Sequence, residues 1–559
     1  MKDVGVMFNR TRIVWVMILF SVFFTNAFSQ VVPEIGQARY FQLIDQPSKS
    51  APLLKSAIAA RPEDATLWYY LGMAQIKNGQ KQDAEISFQK GIDLNPKEGI
   101  NYAGKAHLRF LENNVAEAKK QIEQALTLSK SKNVPVLKAV AEAYLTQKNM
   151  FSKDALALLQ KAKSIDNKDA EVMLLTGDAY LEQNNGGQAV SSYENAVTLN
   201  PKDATGDYKV GLVYLRSKNI EAAEAAFKKA TSIDANYTLA YKELGELYYL
   251  AKKYPESVAA YEKAMSLTEN QEPYKVRYAF FLFSAKNYTK ANEVFKALVA
   301  KPDASLIAIR YYAQSLYEAG EYQKSSEIFD MYFAKAKPEE IEASDYAYYG
   351  RLYNKISEGT KGDTASMDKA IDAFGKALAK DNTILDVRTS HADLLYKRKK
   401  FPEAIASFQE LQKLRSKPVS QDVYKLGQSY YYSEQFEKAD STFQKLIEMQ
   451  PNMTVGYLWQ ARSRASLDPE SEKGLAKPSY ELVIEKASAN PEKGKGDLIE
   501  AYSYLGYFLY LQAQSKPSRE TLQNSKGYWQ KVLDLKPSDP KVIEQANTAI
   551  ESINEALKG

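Results

Sequence analysis

Residues 170–203 read AEVMLLTGDAYLEQNNGGQAVSSYENAVTLNPKD, and their pattern of small, apolar and aromatic residues returns every 34 residues. One position of this period holds a small residue, at Gly177, Gly211, Gly245, Ala279 and Ala313. A second position is also small, at Ala189, Ala223, Ser257, Ala291 and Ser325. A third is aromatic, at Tyr193, Phe227, Tyr261, Phe295 and Phe329. Three independent series with one spacing indicate an internal repeat.

Each period predicts a helical hairpin. It contains two stretches with apolar residues at the spacing of an amphipathic helix, separated by turn residues such as Asn184-Asn185-Gly186. Small residues fit where two helices cross closely, and the aromatic lies four residues after a small one on the same helix face. Because one hairpin cannot bury its apolar face alone, hairpins must stack, and we predict an all-α solenoid.

The pattern resembles the tetratricopeptide repeat (TPR) over roughly nine-tenths of the chain. One unit carries the motif at Trp68, Leu71, Gly72, Ala84, Phe88 and Pro96. A later unit carries it at Leu426, Gly427, Tyr430, Ala439, Phe443 and Pro451. The resemblance implies a right-handed superhelix of about 14 repeats over residues 30–539, closed by a capping helix at 540–559. The array is either one continuous superhelix or two segments that meet in a bend at 357–366.

The first residues are typical of a cleavable signal peptide. Lys2, Arg10 and Arg12 precede an apolar run at 13–24, which is too short to span a bilayer. Small residues before Gln30 predict cleavage that removes residues 1–29 and leaves no integral membrane span. The segment resembles those of exported bacteroidete proteins. We therefore expect an exported protein that works in the periplasm, with the cell surface or secretion as alternatives.

Composition excludes several kinds of chemistry. The chain has no Cys and two His, His107 and His391, so thiol nucleophiles and Cys-based zinc sites are ruled out. A net charge of +5, from 74 basic and 69 acidic residues, gives no indication of nucleic-acid binding. A catalytic domain needs about 100 residues, and the repeats leave no such stretch. We predict a protein that is not an enzyme and has no cofactor or metal.

The resemblance also implies that the first helix of each hairpin lines a concave groove. With that assignment, the first half of the groove is acidic, with Glu142, Asp178 and Glu246. The second half is basic and aromatic, and its predicted partner-binding residues are Arg277, Arg310, Tyr311, Gln314, Tyr348, Arg351, Asn354, Gln428 and Tyr431. Arg beside Tyr is the composition of interface hot spots.

These features predict a non-enzymatic periplasmic scaffold or adaptor. Its concave groove would bind a peptide or protein partner in an envelope assembly, secretion or transport complex. The alternative is a binding module for a cell-wall or imported glycan, whose sugar rings would stack on the tyrosines. A repeat fold does not name its partner, and the sequence does not predict the oligomeric state.

Overall fold

The computed structural model describes residues 33–360 and 362–558, and within those ranges it contains 29 α-helices and no β-strand. Twenty-eight of these helices pair into fourteen hairpins, each made of a helix A and a helix B, and the last helix follows as a cap. The predicted all-α array of helical hairpins is confirmed. The predicted signal peptide, residues 1–29, lies outside the described residues.

The chain divides into two compact units between Pro302 and Asp303. In unit 1 the helices are α1 (Pro33–Leu43), α2 (Ser50–Ala60), α3 (Ala65–Lys77), α4 (Lys81–Leu94), α5 (Ile100–Leu111), α6 (Val115–Leu128), α7 (Val134–Leu145), α8 (Ser152–Ile165), α9 (Ala170–Glu182), α10 (Gly186–Leu199), α11 (Thr205–Arg216), α12 (Ile220–Ile233), α13 (Thr238–Leu250), α14 (Tyr254–Leu267), α15 (Glu272–Ser284) and α16 (Tyr288–Val299). Odd-numbered helices are helices A, and even-numbered ones are helices B.

Unit 2 holds the remaining six hairpins and the cap. Its helices are α17 (Leu306–Glu318), α18 (Tyr322–Lys335), α19 (Ala343–Gly359), α20 (Thr364–Lys380), α21 (Leu385–Lys397), α22 (Phe401–Leu414), α23 (Ser420–Tyr432), α24 (Phe436–Met449), α25 (Thr454–Leu467), α26 (Lys477–Ala487), α27 (Lys495–Ser515), α28 (Arg519–Asp534) and α29 (Pro540–Lys558). Helices α19 and α20, on either side of the 357–366 insertion, pack together as one hairpin. The bend at 357–366 stays a prediction.

The turn from helix A to helix B repeats with the sequence period. One residue there has a positive φ between 57° and 78°, at Asn184, Lys218, Lys252, Lys286 and Gly320. After Asn184, the backbone N–H of Asn185 donates to the carbonyl of Tyr180 at 2.9 Å and ends α9. The Asn185 side chain then accepts from the N–H of Gln188 and caps α10. One asparagine therefore ends one helix and begins the next.

The small residue of helix A lies against the aromatic ring of helix B. A Cβ atom on Gly177 would lie 2.3 Å from the Tyr193 ring, and one on Gly427 would lie 2.6 Å from Phe443. Tyr193 and Phe443 are almost fully buried. The helices thus cross with the ring against bare backbone, which explains why both residues recur at this period.

Helices A line the inner face of each unit. Several helix pairs that are not consecutive in the chain also pack together, and they join one helix A to the next helix A or to the cap: α1–α3, α3–α5, α5–α7, α7–α9, α17–α19, α23–α25 and α27–α29. Because hairpins that approach most closely along one side curve toward that side, helices A form the concave surface. No helix within the described residues is long and apolar enough to cross a membrane.

Candidate functional site

Ion pairs connect successive helices A. In unit 1 they are Lys138–Asp169 (2.7 Å), Lys209–Asp178 (2.7 Å) and Arg277–Glu246 (2.9 Å between Nε and Oε1). In unit 2 they are Arg351–Asp386 (2.5 Å), Lys425–Asp393 (2.7 Å) and Arg462–Glu500 (2.8 Å between Nε and Oε1). We call these the inter-hairpin ion pairs. They hold the helices A that they join against each other and neutralise charge on the inner face.

The Arg310 side chain is held by hydrogen bonds and ion pairs within unit 2. Its guanidinium donates to the Tyr332 hydroxyl at 2.8 Å, the Glu340 carbonyl at 2.8 Å and the Glu342 carboxylate at 2.9 Å. It also lies 3.1 Å from Asp345, which is completely buried. Only 17% of the Arg310 side chain is exposed. This predicted partner-binding residue therefore joins α17 to the start of α19.

Three predicted site residues come together on α19. Tyr348, Arg351 and Asn354 are half-buried, and we call them the arginine–tyrosine patch. The Arg351 guanidinium lies 5.5 Å from the centre of the Tyr348 ring, a cation–π contact. The Tyr348 hydroxyl donates to Glu318 on α17 at 3.3 Å. Arg351 keeps 33% of its side chain exposed, so this patch combines a positioned charge with an accessible surface.

A second accessible group lies on α23 and its neighbours. Tyr432 is 49% exposed, and its ring stacks on Phe401 with centroids 4.9 Å apart. Tyr431, a predicted site residue, packs edge-on against Trp459 at 5.3 Å. The guanidinium of Arg462 lies 4.6 Å from the Trp459 ring. We call Phe401, Tyr431, Tyr432, Trp459 and Arg462 the aromatic patch.

The remaining predicted residues are less accessible or lie elsewhere. On α17, Tyr311 is half-buried and Gln314 is buried. Gln428 is buried and accepts from the Tyr396 hydroxyl at 2.5 Å, across α21 and α23. Arg277 belongs to unit 1, whereas the other eight predicted residues belong to unit 2. The predicted set therefore divides between the two units, and the partner-binding role of its members stays a prediction.

Two acidic residues of the first half, Asp178 and Glu246, have basic partners in unit 1. Asp178 accepts from the Tyr193 hydroxyl at 2.7 Å as well as from Lys209. Burial raises the pKa of Glu142. These ion pairs were not predicted, although the sequence carries a signal for them. Asp178 and Lys209 are 31 residues apart, and so are Glu246 and Arg277. That spacing places opposite charges on adjacent helices A.

Comparisons with known proteins identify the repeat. Tetratricopeptide repeat profiles match residues 36–98, 174–238 and 423–452. Tetratricopeptide repeat protein 37 of Xenopus laevis is 31% identical over 127 residues, which cover 23% of this chain and 8% of that protein. Superkiller complex protein 3 of Homo sapiens is 30% identical over 127 residues, with the same coverage. The match therefore spans less than a tenth of these curated relatives.

One solved structure aligns with a longer part of the chain. It is the C-terminal part of a TPR repeat-containing protein from Cytophaga hutchinsonii, with 33% identity and a TM-score of 0.35. The alignment covers 48% of this chain and 98% of that one. The hairpins and their inner faces define a helical-repeat protein. The chain belongs to the tetratricopeptide repeat family, whose members generally act as scaffolds for protein–protein interactions.

Proposed function

We propose that this protein is a non-enzymatic scaffold that binds a protein or peptide partner on the inner face of unit 2. We further propose that it is exported to the periplasm and acts there in an envelope assembly, secretion or transport complex. The class of function is that of its family, and the location is supported by the predicted signal peptide.

One observation supports the proposed binding surface. The arginine–tyrosine patch lies on a helix A of unit 2, and so do all members of the aromatic patch except Phe401, which begins the helix B α22. Each patch includes an accessible side chain, Arg351 or Tyr432. Both side chains are already positioned, Arg351 by Asp386 and Tyr432 by Phe401. Positioned Arg and Tyr side chains lose little conformational entropy when a partner binds, and they are typical of interface hot spots.

The test is capture of a partner from an envelope extract of the source organism by the purified chain. The test variants are Arg351→Ala and Tyr432→Ala, because both side chains are accessible. Arg310→Ala is unsuitable, since it would remove contacts that join α17 to α19. We expect each test variant to reduce capture of a stoichiometric protein by about tenfold and to remain folded, with at most the small loss of melting temperature that follows from a lost surface contact.

Two exposed residues on helices B serve as matched controls. Lys376→Ala breaks an ion pair with Asp372 at 2.7 Å on α20, as Arg351→Ala breaks one on the inner face. Met331→Ala removes a large apolar side chain that is 42% exposed on α18. Equal losses from test and control variants would contradict the proposed surface. If the folded chain captures no protein, the glycan-binding alternative gains support, because the aromatic patch offers rings for a sugar to contact.

A further inference from the structure

The first hairpin contacts hairpins far from it along unit 1. Arg39 on α1 forms an ion pair with Glu171 on α9, 132 positions away. The Tyr40 hydroxyl donates to Asp234 at 3.2 Å, 194 positions away. Hairpins in a solenoid normally contact only their immediate neighbours. The segment of residues 39–48, which ends α1 and forms the following turn, therefore lies across the starts of several helices A and the turns before them, on the inner side of unit 1.

One end of the segment inserts a basic group among acidic ones. Glu171 binds Arg39 and also accepts from Lys138 at 2.7 Å. Burial alone would raise the pKa of Glu171, but the charges of Arg39 and Lys138 lower it to about 2. Arg39 and Glu171 line a small cavity with Tyr69, Tyr70 and Glu142. This part of the inner face therefore accommodates a guanidinium group.

The other end of the segment inserts an acidic group among hydroxyl donors. The Asp45 carboxylate accepts from the Thr268 hydroxyl at 2.6 Å and from the Tyr274 hydroxyl at 2.7 Å. Its neighbour Gln46 donates to the Leu267 carbonyl at 2.9 Å. Asp45 also has a φ of 59°, a conformation that local contacts must maintain. These donors on α15 and the turn before it form a carboxylate-binding position.

The backbone of the segment is bound in the same way. The Thr238 hydroxyl donates to the Ile44 carbonyl at 2.7 Å, and the Ser48 N–H donates to the Glu269 carboxylate at 2.7 Å. Leu43 packs on an apolar cluster at the start of α13, and Ile44 is buried. Each such polar contact is weak in net terms, because water can replace it. Backbone hydrogen bonds, a charged side chain near each end and the packed side chains of Leu43 and Ile44 are together the kinds of contact that a bound peptide makes.

We propose that the inner face of unit 1 is a peptide-binding site held closed by the chain's own 39–48 segment. The partner it fits is a peptide that presents a basic and an acidic residue at the spacing of Arg39 and Asp45. That partner and the 39–48 segment compete for one surface, so binding requires release of the segment. This site lies in unit 1 and does not depend on the surface proposed in unit 2.

The test uses the full chain and a fluorescein-labelled peptide of residues 33–49, PEIGQARYFQLIDQPSK. In the wild-type chain the attached segment competes with the peptide, because its effective concentration is high. The variant Arg39→Glu/Asp45→Lys replaces the guanidinium beside Glu142 and Glu171 with a third carboxylate, and the repulsion expels the attached segment. We expect fluorescence anisotropy to show peptide binding to this variant at least about tenfold tighter than to the wild type.

A matched control reverses two exposed charges in the same hairpin. Lys55→Glu/Glu63→Lys makes the same changes in charge at exposed positions outside the segment and should behave like the wild type. A peptide with reversed charges at Arg39 and Asp45 should not bind the charge-reversed chain. Hydrogen exchange should rise in residues 39–48 and 234–274 of that chain, and the native peptide should restore protection in 234–274.

Three results would overturn the proposal. The charge-reversed chain could keep wild-type protection in residues 39–48, so that packing alone holds the segment. The wild type could bind the peptide as tightly as the variant, so that the site is not occupied by the chain itself. The segment could be released while the peptide binds neither chain. If circular dichroism shows that the charge-reversed chain does not fold, Arg39→Gln replaces it, and we expect an intermediate gain in peptide binding.

Discussion

Gly177 illustrates how single residues set the spacing between helices. Its Cα atom lies where any side chain would meet the Tyr193 ring, and that ring is 1% exposed. The sequence predicted that helices cross closely at the small positions, and the structure adds that the ring of the aromatic position lies against Gly177. The recurrence of both positions reflects sterics: a larger residue on helix A would separate it from helix B, and a smaller residue on helix B would leave a cavity.

Replacing Gly177 with Ala should destabilise unit 1 by about 1–3 kcal/mol, because the added Cβ would lie 2.3 Å from a ring that cannot move away. Thermal unfolding of the two chains measures the difference. Gly187→Ala is the matched control, since a Cβ at Gly187 in α10 meets nothing within 4 Å. The control should leave stability unchanged or raise it by up to about 1 kcal/mol. Equal destabilisation by both substitutions would contradict the steric explanation.

His107 gives unit 1 a defined response to acid. Burial, together with the charge of Lys77, lowers the pKa of His107 to about 4, and its Nδ1 atom has no hydrogen-bond partner within the described residues. The unfolded chain binds a proton near pH 6.5, before the folded one does. The contribution of neutral His107 to the free energy of unfolding is therefore fully present above about pH 6.5. It falls as the pH drops from about 6.5 to 4.

His107→Gln should reduce this response. We expect the wild type to lose more thermal stability than the variant between about pH 7.5 and pH 5. His391, whose pKa burial also lowers to about 4, remains in both chains as an internal reference. Parallel changes in the melting temperatures of the two chains would show that His107 does not titrate in this way.

At the scale of the helix, the same charges can serve either packing or recognition. From the sequence, Glu246 was expected in an acidic half of the groove and Arg277 in a basic half, whereas the structure pairs them across α13 and α15. The charge type of each residue was readable from the sequence. The ion pair between Glu246 and Arg277 was not predicted, because it depends on the distance between one helix A and the next.

The Arg277–Glu246 pair should stabilise the contact between two hairpins. In a double-mutant cycle of Arg277→Gln and Glu246→Gln, we expect a coupling free energy of about 0.5–1 kcal/mol in thermal unfolding. The side chains are 38% and 25% exposed, which limits screening by solvent. Lys413 and Glu410 form a comparison pair on one helix B, 70% and 50% exposed. Their coupling should be smaller, and a larger value would contradict the role given to the inter-hairpin pairs.

At the scale of the whole molecule, the sequence predicted the local order and missed the distant contacts. The 34-residue period predicts fourteen hairpins and a cap, because each hairpin packs on its neighbours in the same way. It does not encode the contact of residues 39–48 with hairpins at 171–274, which arises from the curvature of many repeats. The accessible Tyr432 of the aromatic patch was likewise missed, because the period does not show which of two adjacent tyrosines remains exposed.

In the proposed function, a protein partner contacts the inner face of unit 2. Site-specific crosslinking tests it most directly. A photoreactive phenylalanine analogue replaces Tyr432, which is 49% exposed on α23, or Met331, which is 42% exposed on helix B of another hairpin. The chains are expressed in the source organism and irradiated. We predict a discrete crosslinked protein from position 432 that is absent from position 331. The same product from both positions, or a product from position 331 alone, would contradict the account.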